Sequence, residues 1–221
     1  MRVFMLEDSG QIYTCRVYLV LGDWSSMEDV NTLVDVGQDP AVLASLERAP
    51  TGVGKTRVEQ VVLTHSHYDH CALLPLIREK FHPTVCAFSA SLEGVDRVLG
   101  DGDRLKMGDR VFEVIHAPGH SSDSICLYNE DEGVLFAGDA PLLVHSAEET
   151  HEEGFRRTLE RLCRRDVRVI YFGHGDPLGE NCNLRLRRSL ELIEPGNGSR
   201  EQACRLAPVR AEASPGRRKG L

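Results

Sequence analysis

The sequence has no CxxC pair, and its seven cysteines, at positions 15, 71, 86, 126, 163, 182 and 204, are scattered and odd in number. That spacing suits neither a disulfide framework nor a zinc ribbon, so the thiols are expected to be reduced core residues of a reducing compartment. Cys71, directly after His70, is expected to begin a helix and point into its packing face. No apolar run approaches the roughly 20 residues of a membrane span, and the opening MRVFMLEDSG has no cationic start followed by an apolar stretch. A cytoplasmic chain without a cleaved signal is the expectation. An excess of positive charge is missing too, since 26 Lys and Arg stand against 34 Asp and Glu for a formal net charge of -8. A broad electrostatic hold on nucleic acid is therefore not expected.

What remains is a soluble globular composition, 41% hydrophobic and 27% charged over 221 residues, enough for one domain with a sizeable core. The sequence from Pro195, closing on SPGRRKGL, is rich in Gly, Pro, Ser and Arg and has no apolar periodicity. The expected organisation is a domain over residues 1–194 and a flexible basic tail over 195–221.

RVFML and QIYTCRVYLVL are expected strands with a turn at Glu7 to Gly10, followed by the buried strand NTLVDVG and the helix PAVLASLER, N-capped by Asp39. VEQVVLTH, a helix over DHCALLPLIREKF, the strand TVCAF and a helix over SASLEGVDRVL come next. DRLKMGDRVFEVIHAPGH and SICLYNEDEGVLFAGD each pattern as two strands about a polar turn, at Met107 to Asp109 and at Asn129 to Gly133. A helix from about Glu148 to Cys163, the strand VRVIYFG and a helix from about Asn183 to Ile193 complete the pattern. Two strand-rich blocks, each followed by helices, imply a sheet sandwich covered by helices.

TGVGKT at 51–56 ends like a phosphate-binding loop, but that motif needs glycine at 49, where the chain has Ala. It also precedes a strand instead of following one, so it is expected to be a surface loop.

HSHYDH, residues 65–70, places three histidines and an aspartate directly after an apolar strand. Residues two apart in a strand face one side, so His65 and His67 can aim at one point, with Asp69 and His70 aimed at a second where the chain turns into a helix. Four such ligands exceed the needs of one open zinc site and suit two adjacent ions, about 3.5–4 Å apart, that clamp a substrate oxygen. Further candidates follow other strands beside glycine: His120 in APGHSSD, Asp139 in LFAGDA and His174 in YFGHGD. Glycine lets backbone pass close to the ions so that separate strands converge.

These motifs resemble those of the metallo-β-lactamase fold hydrolases: HSHYDH matches their HxHxDH signature, and His120, Asp139 and His174 match three later metal motifs in order. The resemblance covers roughly residues 11 to 180 and implies an α/β, four-layer αββα sandwich with metals at one edge of the two sheets. It implies that His65, His67 and His120 hold one metal, that Asp69, His70 and His174 hold another, and that Asp139 bridges them. Asp35 in LVDVG matches an early supporting aspartate. The implied chemistry is attack by a hydroxide held between two divalent metals, with Asp69 orienting it and carrying a proton to the leaving group. Zinc is the first choice, with iron or manganese as alternatives, because nitrogen and oxygen ligands suit all three.

Departures from relatives narrow the substrate. Family β-lactamases commonly carry cysteine or serine at the bridging position, where this chain has Asp139. Glyoxalase II-like thioesterases add a helical substrate domain after the last histidine, whereas 47 residues follow His174 here. RNA-processing relatives carry an RNA-clasping arm or a large insertion, and neither is evident. The expected function is hydrolysis of a small ester, thioester or lactone, with an iron-dependent persulfide dioxygenase, a phosphodiesterase and a non-catalytic scaffold as alternatives. A small molecule is the expected partner, and a homodimer is a further one to test. His145 and His151 lie in the polar segment after Asp139 and are expected to face solvent. His82 is expected in a loop, and His116 at a strand end near the site without binding metal.

Overall fold

A computed structural model describes residues 1–146 and 153–193. Its strands are β1 Arg2–Met5, β2 Tyr18–Leu21, β3 Thr32–Val34, β4 Gln60–Leu63, β5 Thr84–Ala87, β6 Arg97–Val98, β7 Arg104–Met107, β8 Arg110–His116, β9 Ile125–Asn129, β10 Val134–Gly138 and β11 Val169–Phe172. The helices are α1 Ala41–Arg48, α2 Tyr68–Cys71, α3 Leu74–Phe81, α4 Glu153–Cys163 and α5 Cys182–Ile193. The strands form a six-stranded sheet ordered β1-β2-β3-β4-β5-β6 and a five-stranded sheet ordered β11-β10-β9-β8-β7.

Three apolar layers hold the sandwich together. Between the sheets lie Val20, Val62, Phe112, Leu127 and Phe136. Outside the first sheet, Leu19, Leu33 and Val61 meet Val42 and Leu46 of α1 and Ile77 of α3. Outside the second, Leu135 and Ile170 meet Phe155 and Leu159 of α4 and Leu186 of α5. Central strands such as β4 and β10 bury every residue because apolar groups cover both faces. Each fully buried Val, Leu or Phe contributes about 1.5–3 kcal/mol of transfer free energy.

Several local expectations are corrected. SASLEGVDRVL is not a helix: Gly94 has a φ of 87° there, and Arg97 and Val98 pair with β5. The chain is held extended by Asp96, whose carboxylate accepts from the Val85 amide and the Arg78 guanidinium. In QIYTCRVYLVL only the last four residues join the sheet. The preceding segment crosses the sandwich edge instead, with the Cys15 amide donating to the Asp69 carbonyl and the Arg16 amide to the Gly173 carbonyl. The helix over DHCALLPLIREKF is broken into α2 and α3, with Pro75 in the first turn of the second piece. Pro40 is the N-terminal cap of α1, although the Asp39 carboxylate does accept the free Ala41 amide at 3.0 Å. The expected helical stretch 148–152, His151, Cys204 and the tail from 195 lie outside the described residues. In the TGVGKT loop, Lys55 is tied down at Nζ by the Asp29 carbonyl at 2.6 Å and by Glu59 at 3.2 Å, a structural role. Among the described residues, no helix is long and apolar enough to cross a membrane.

Candidate metal centre

Strand direction assembles the site. β3 and β4 run parallel in one sheet, as do β10 and β11 in the other, so the segments after them emerge together at one edge of the sandwich. Asp35 follows β3, His65 follows β4, Asp139 follows β10 and His174 follows β11. The Ile125 amide donates to the Thr64 carbonyl at 2.9 Å and joins the sheets at that edge. Asp35 sits there with a φ of 58°, a left-handed conformation that aspartate tolerates better than most residues.

The structure brings together all seven side chains singled out by the sequence. His65, His67 and His120 form one group in which a ligand atom of each lies within 4.8 Å of the others, and His65, His70 and Asp139 form a second. Asp69, His70 and His174 form a third. Nε2 of His120 lies 2.9 Å from Nδ1 of His67. The Asp139 carboxylate stands at the middle, 3.3 Å from His70 Nε2, 3.5 Å from His120 Nε2 and 3.4 Å from His174 Nε2. Asp69 lies 3.0 Å from His174 Nε2 on the more open side.

Hydrogen bonds reveal which ring nitrogens carry free lone pairs. The Thr64 hydroxyl donates to Asp35 Oδ2 at 2.9 Å, so its oxygen can only accept from His65 Nδ1, 3.1 Å away. His65 Nε2 is thereby left bare, and it is buried with no hydrogen-bond partner. His70 Nδ1 donates to Asp35 Oδ2 at 2.9 Å, which turns its Nε2 toward the centre. That atom and Asp139 Oδ1 are also buried, facing each other 3.3 Å apart with no other hydrogen-bond partner. Inward-facing acceptors of this kind are stable when a cation lies among them, and carboxylate-oriented imidazoles are the usual metal-holding arrangement. The residues present therefore fit divalent ions.

The electrostatics agree. Burial, reinforced by the neighbouring His70, pushes the His65 imidazole down to about 4, so it is neutral and ligand-ready near pH 7. Burial opposes a charge on His70, but Asp35 and Asp139 outweigh it and push its pKa up. The same carboxylates would attract a divalent cation in place of that proton. Burial similarly lowers the His120 pKa. Asp139 is held below the ordinary carboxylate range: burial alone would raise it, but His70 and His174 outweigh that.

Sequence reasoning missed three neighbours. Cys15 lies with Asp35 and His70, but burial pushes its thiol up to about 12, which leaves it a neutral packing group. Thr64 fixes the His65 tautomer, and only its place before the first motif histidine signalled it. Tyr13 stacks on His174 with ring centroids 4.9 Å apart and its hydroxyl 3.3 Å from Nε2, on a segment expected to be sheet. His116 stacks on Phe88, and its Nε2 donates to the Ser122 carbonyl at 2.8 Å, outside the clusters. His82 is a left-handed cap residue after α3. His145 is exposed.

Residues 15–174 match the Metallo-beta-lactamase superfamily. The chain belongs to this superfamily. Among curated relatives, a hydroxyacylglutathione hydrolase of Klebsiella pneumoniae is 38% identical over 109 residues, 48% of this chain and 41% of that enzyme. An atrochrysone carboxyl ACP thioesterase of Aspergillus novofumigatus is 27% identical over 193 residues, 84% of this chain and 58% of the relative. The matches thus span about half the length of each relative. In fold, a metallo-β-lactamase family protein of Thermus thermophilus superposes with a TM-score of 0.62 at 23% identity, covering 91% of this chain and 79% of its own.

Close packing in this superfamily member makes one glycine a sensitive probe. A Cβ at Gly173 would lie 2.1 Å from Asp139 Oδ1 and 2.7 Å from His70 Cε1. Gly173→Ala is expected to displace that carboxylate and weaken metal binding by about 10- to 100-fold, although no donor atom is removed. Isothermal titration with zinc checks this, and wild-type affinity in the variant would refute the packing argument.

Proposed function

We propose that residues 1–194 form a metal-dependent hydrolase domain that cleaves thioesters. His65, His67 and His120 would hold one divalent ion and Asp69, His70 and His174 a second, with Asp139 shared between them and zinc the first choice. The observation that carries this reading is the central Asp139 carboxylate, within 3.5 Å of three imidazoles drawn from separate parts of the chain. When bound, the ions would supply Lewis acidity and a hydroxide near neutral pH.

The protein's own residues account for the rest. Asp35 and Thr64 fix the faces that His70 and His65 present. Asp69 is 19% exposed at its side chain, against 13% for Asp139, so it is the more open of the two central carboxylates toward water and substrate. It would take the proton of the attacking water and return it to the leaving thiol. Thioesters are favoured over oxygen esters because both relatives described above are named for acyl–thiol substrates.

A panel of acyl thioesters of small thiols, the matching oxygen esters, lactones and phosphodiesters tests the reading with the metal-loaded protein. Thioester turnover with kcat/KM of about 10⁴ M⁻¹s⁻¹ or more is expected, with the other classes well below it. Thioester turnover no faster than that of the metal-stripped protein would refute it.

A further inference from the structure

A cavity of about 460 Å³ lies between α5 and the segment that leaves Asp139. That volume is within the roughly 300–1,000 Å³ of small-molecule sites. Leu143, Val144 and His145 form one wall, and Leu184, Arg185 and Arg188 the other. The Val144 amide donates to Ser189 Oγ at 2.9 Å and fastens the two walls together. Leu143 is four residues beyond Asp139, so its Cα stands no more than roughly 14 Å from that of the central carboxylate.

The chemistry of the walls is unlike that of the metal centre. Arg185 and Arg188 are three apart and share one face of α5. Neither has a carboxylate partner among the described residues. By contrast, Arg161 and Arg165 on and after α4 are paired with Asp101 and Glu113. In a chain of net charge -8, two guanidiniums without a carboxylate partner among the described residues, beside a leucine-lined surface, suit an anionic group at the end of a partly apolar arm. The leucines have no role in recognising the charge, but they can cover the arm that carries it.

We propose that this cavity receives the anionic end of the substrate's thiol carrier, while the acyl carbonyl lies at the metal centre. The assignment rests on the thioesterase reading for the identity of the arm, whereas the cavity's preference for an anion stands on Arg185 and Arg188. Carboxylate and phosphate share the required chemistry. Glutathione presents the first and coenzyme A the second.

The test is calorimetric binding of glutathione, coenzyme A and uncharged pantetheine to the full-length, metal-loaded protein. Coenzyme A and pantetheine present the same cysteamine thiol, so their difference reports on the phosphate-bearing end, and a glutathione margin is assigned to the cavity by its loss in the arginine variant. One charged thiol at least is expected to bind about tenfold more tightly than pantetheine. The variant R185Q/R188Q should lose that margin, and R187Q, which makes a charge change on the same helix outside the cavity, should keep it. A margin for glutathione alone assigns a carboxylate, and one for coenzyme A alone assigns a phosphate. Equal binding of all three thiols, or a margin that survives in R185Q/R188Q, would overturn the proposal. Its failure is separable from that of the thioesterase reading. An anion margin without thioester turnover leaves the cavity assignment standing and removes the reaction, whereas turnover without a margin does the reverse.

Discussion

Asp139→Ala is expected to reduce bound metal from about two ions per chain to one or none and to lower kcat/KM by about 10³-fold or more. The reason is its position: one carboxylate faces His70, His120 and His174 at once, so removing it strips both proposed ion positions together. Asp139→Asn should keep the volume but lose the negative charge that balances the ions, and its loss should be nearly as large. Elemental analysis of wild type and both variants, purified without added metal, reads the first effect directly. Steady-state kinetics reads the second. A variant that keeps two ions per chain would show that Asp139 is not the shared ligand.

The second large effect is expected from a residue that touches no proposed ion. Asp35 is 2% exposed, and its carboxylate accepts from the Thr64 amide at 2.8 Å, the Thr64 hydroxyl at 2.9 Å and His70 Nδ1 at 2.9 Å. Asp35→Ala leaves all three donors buried and unpaired, a change that costs about 3–5 kcal/mol when the lost partner is charged. The loss should be measured by urea denaturation of the metal-stripped protein, because bound metal adds its own stabilisation. Metal affinity should fall as well, since His70 loses the bond that turns its Nε2 toward the centre. A stability change below about 1 kcal/mol would show that Thr64 and His70 find other partners.

The clustering of these side chains was legible because chemistry at strand ends leaves a compact signature. HSHYDH, GHS, GDA and GHG each couple a donor residue to the turn or glycine that lets it approach its neighbours, and all seven donors meet at one edge. The sheet sandwich covered by helices was equally readable from the two strand-rich blocks, each followed by helices. Residues 89–99 misled because Leu92, Val95 and Val98 have helix-like spacing, whereas the deciding contact, Asp96 with Arg78 and Val85, is long-range. Residues 11–17 alternate like a strand but cross the sheet edge, and this crossing brings Tyr13 and Cys15 to the site. The α5 cavity left no motif, because two arginines three apart on a helix are ordinary until their lack of acidic partners among the described residues is seen in three dimensions.

Zinc titration of the metal-stripped protein, with calorimetric heat and thioester turnover followed on the same samples, tests the central claim most directly. The two-ion hydrolase predicts that activity returns with added zinc and reaches its plateau at about two equivalents per chain. Full turnover without metal would contradict it. So would a plateau at one equivalent, or activity that appears only with a single iron and consumes oxygen in the presence of a thiol.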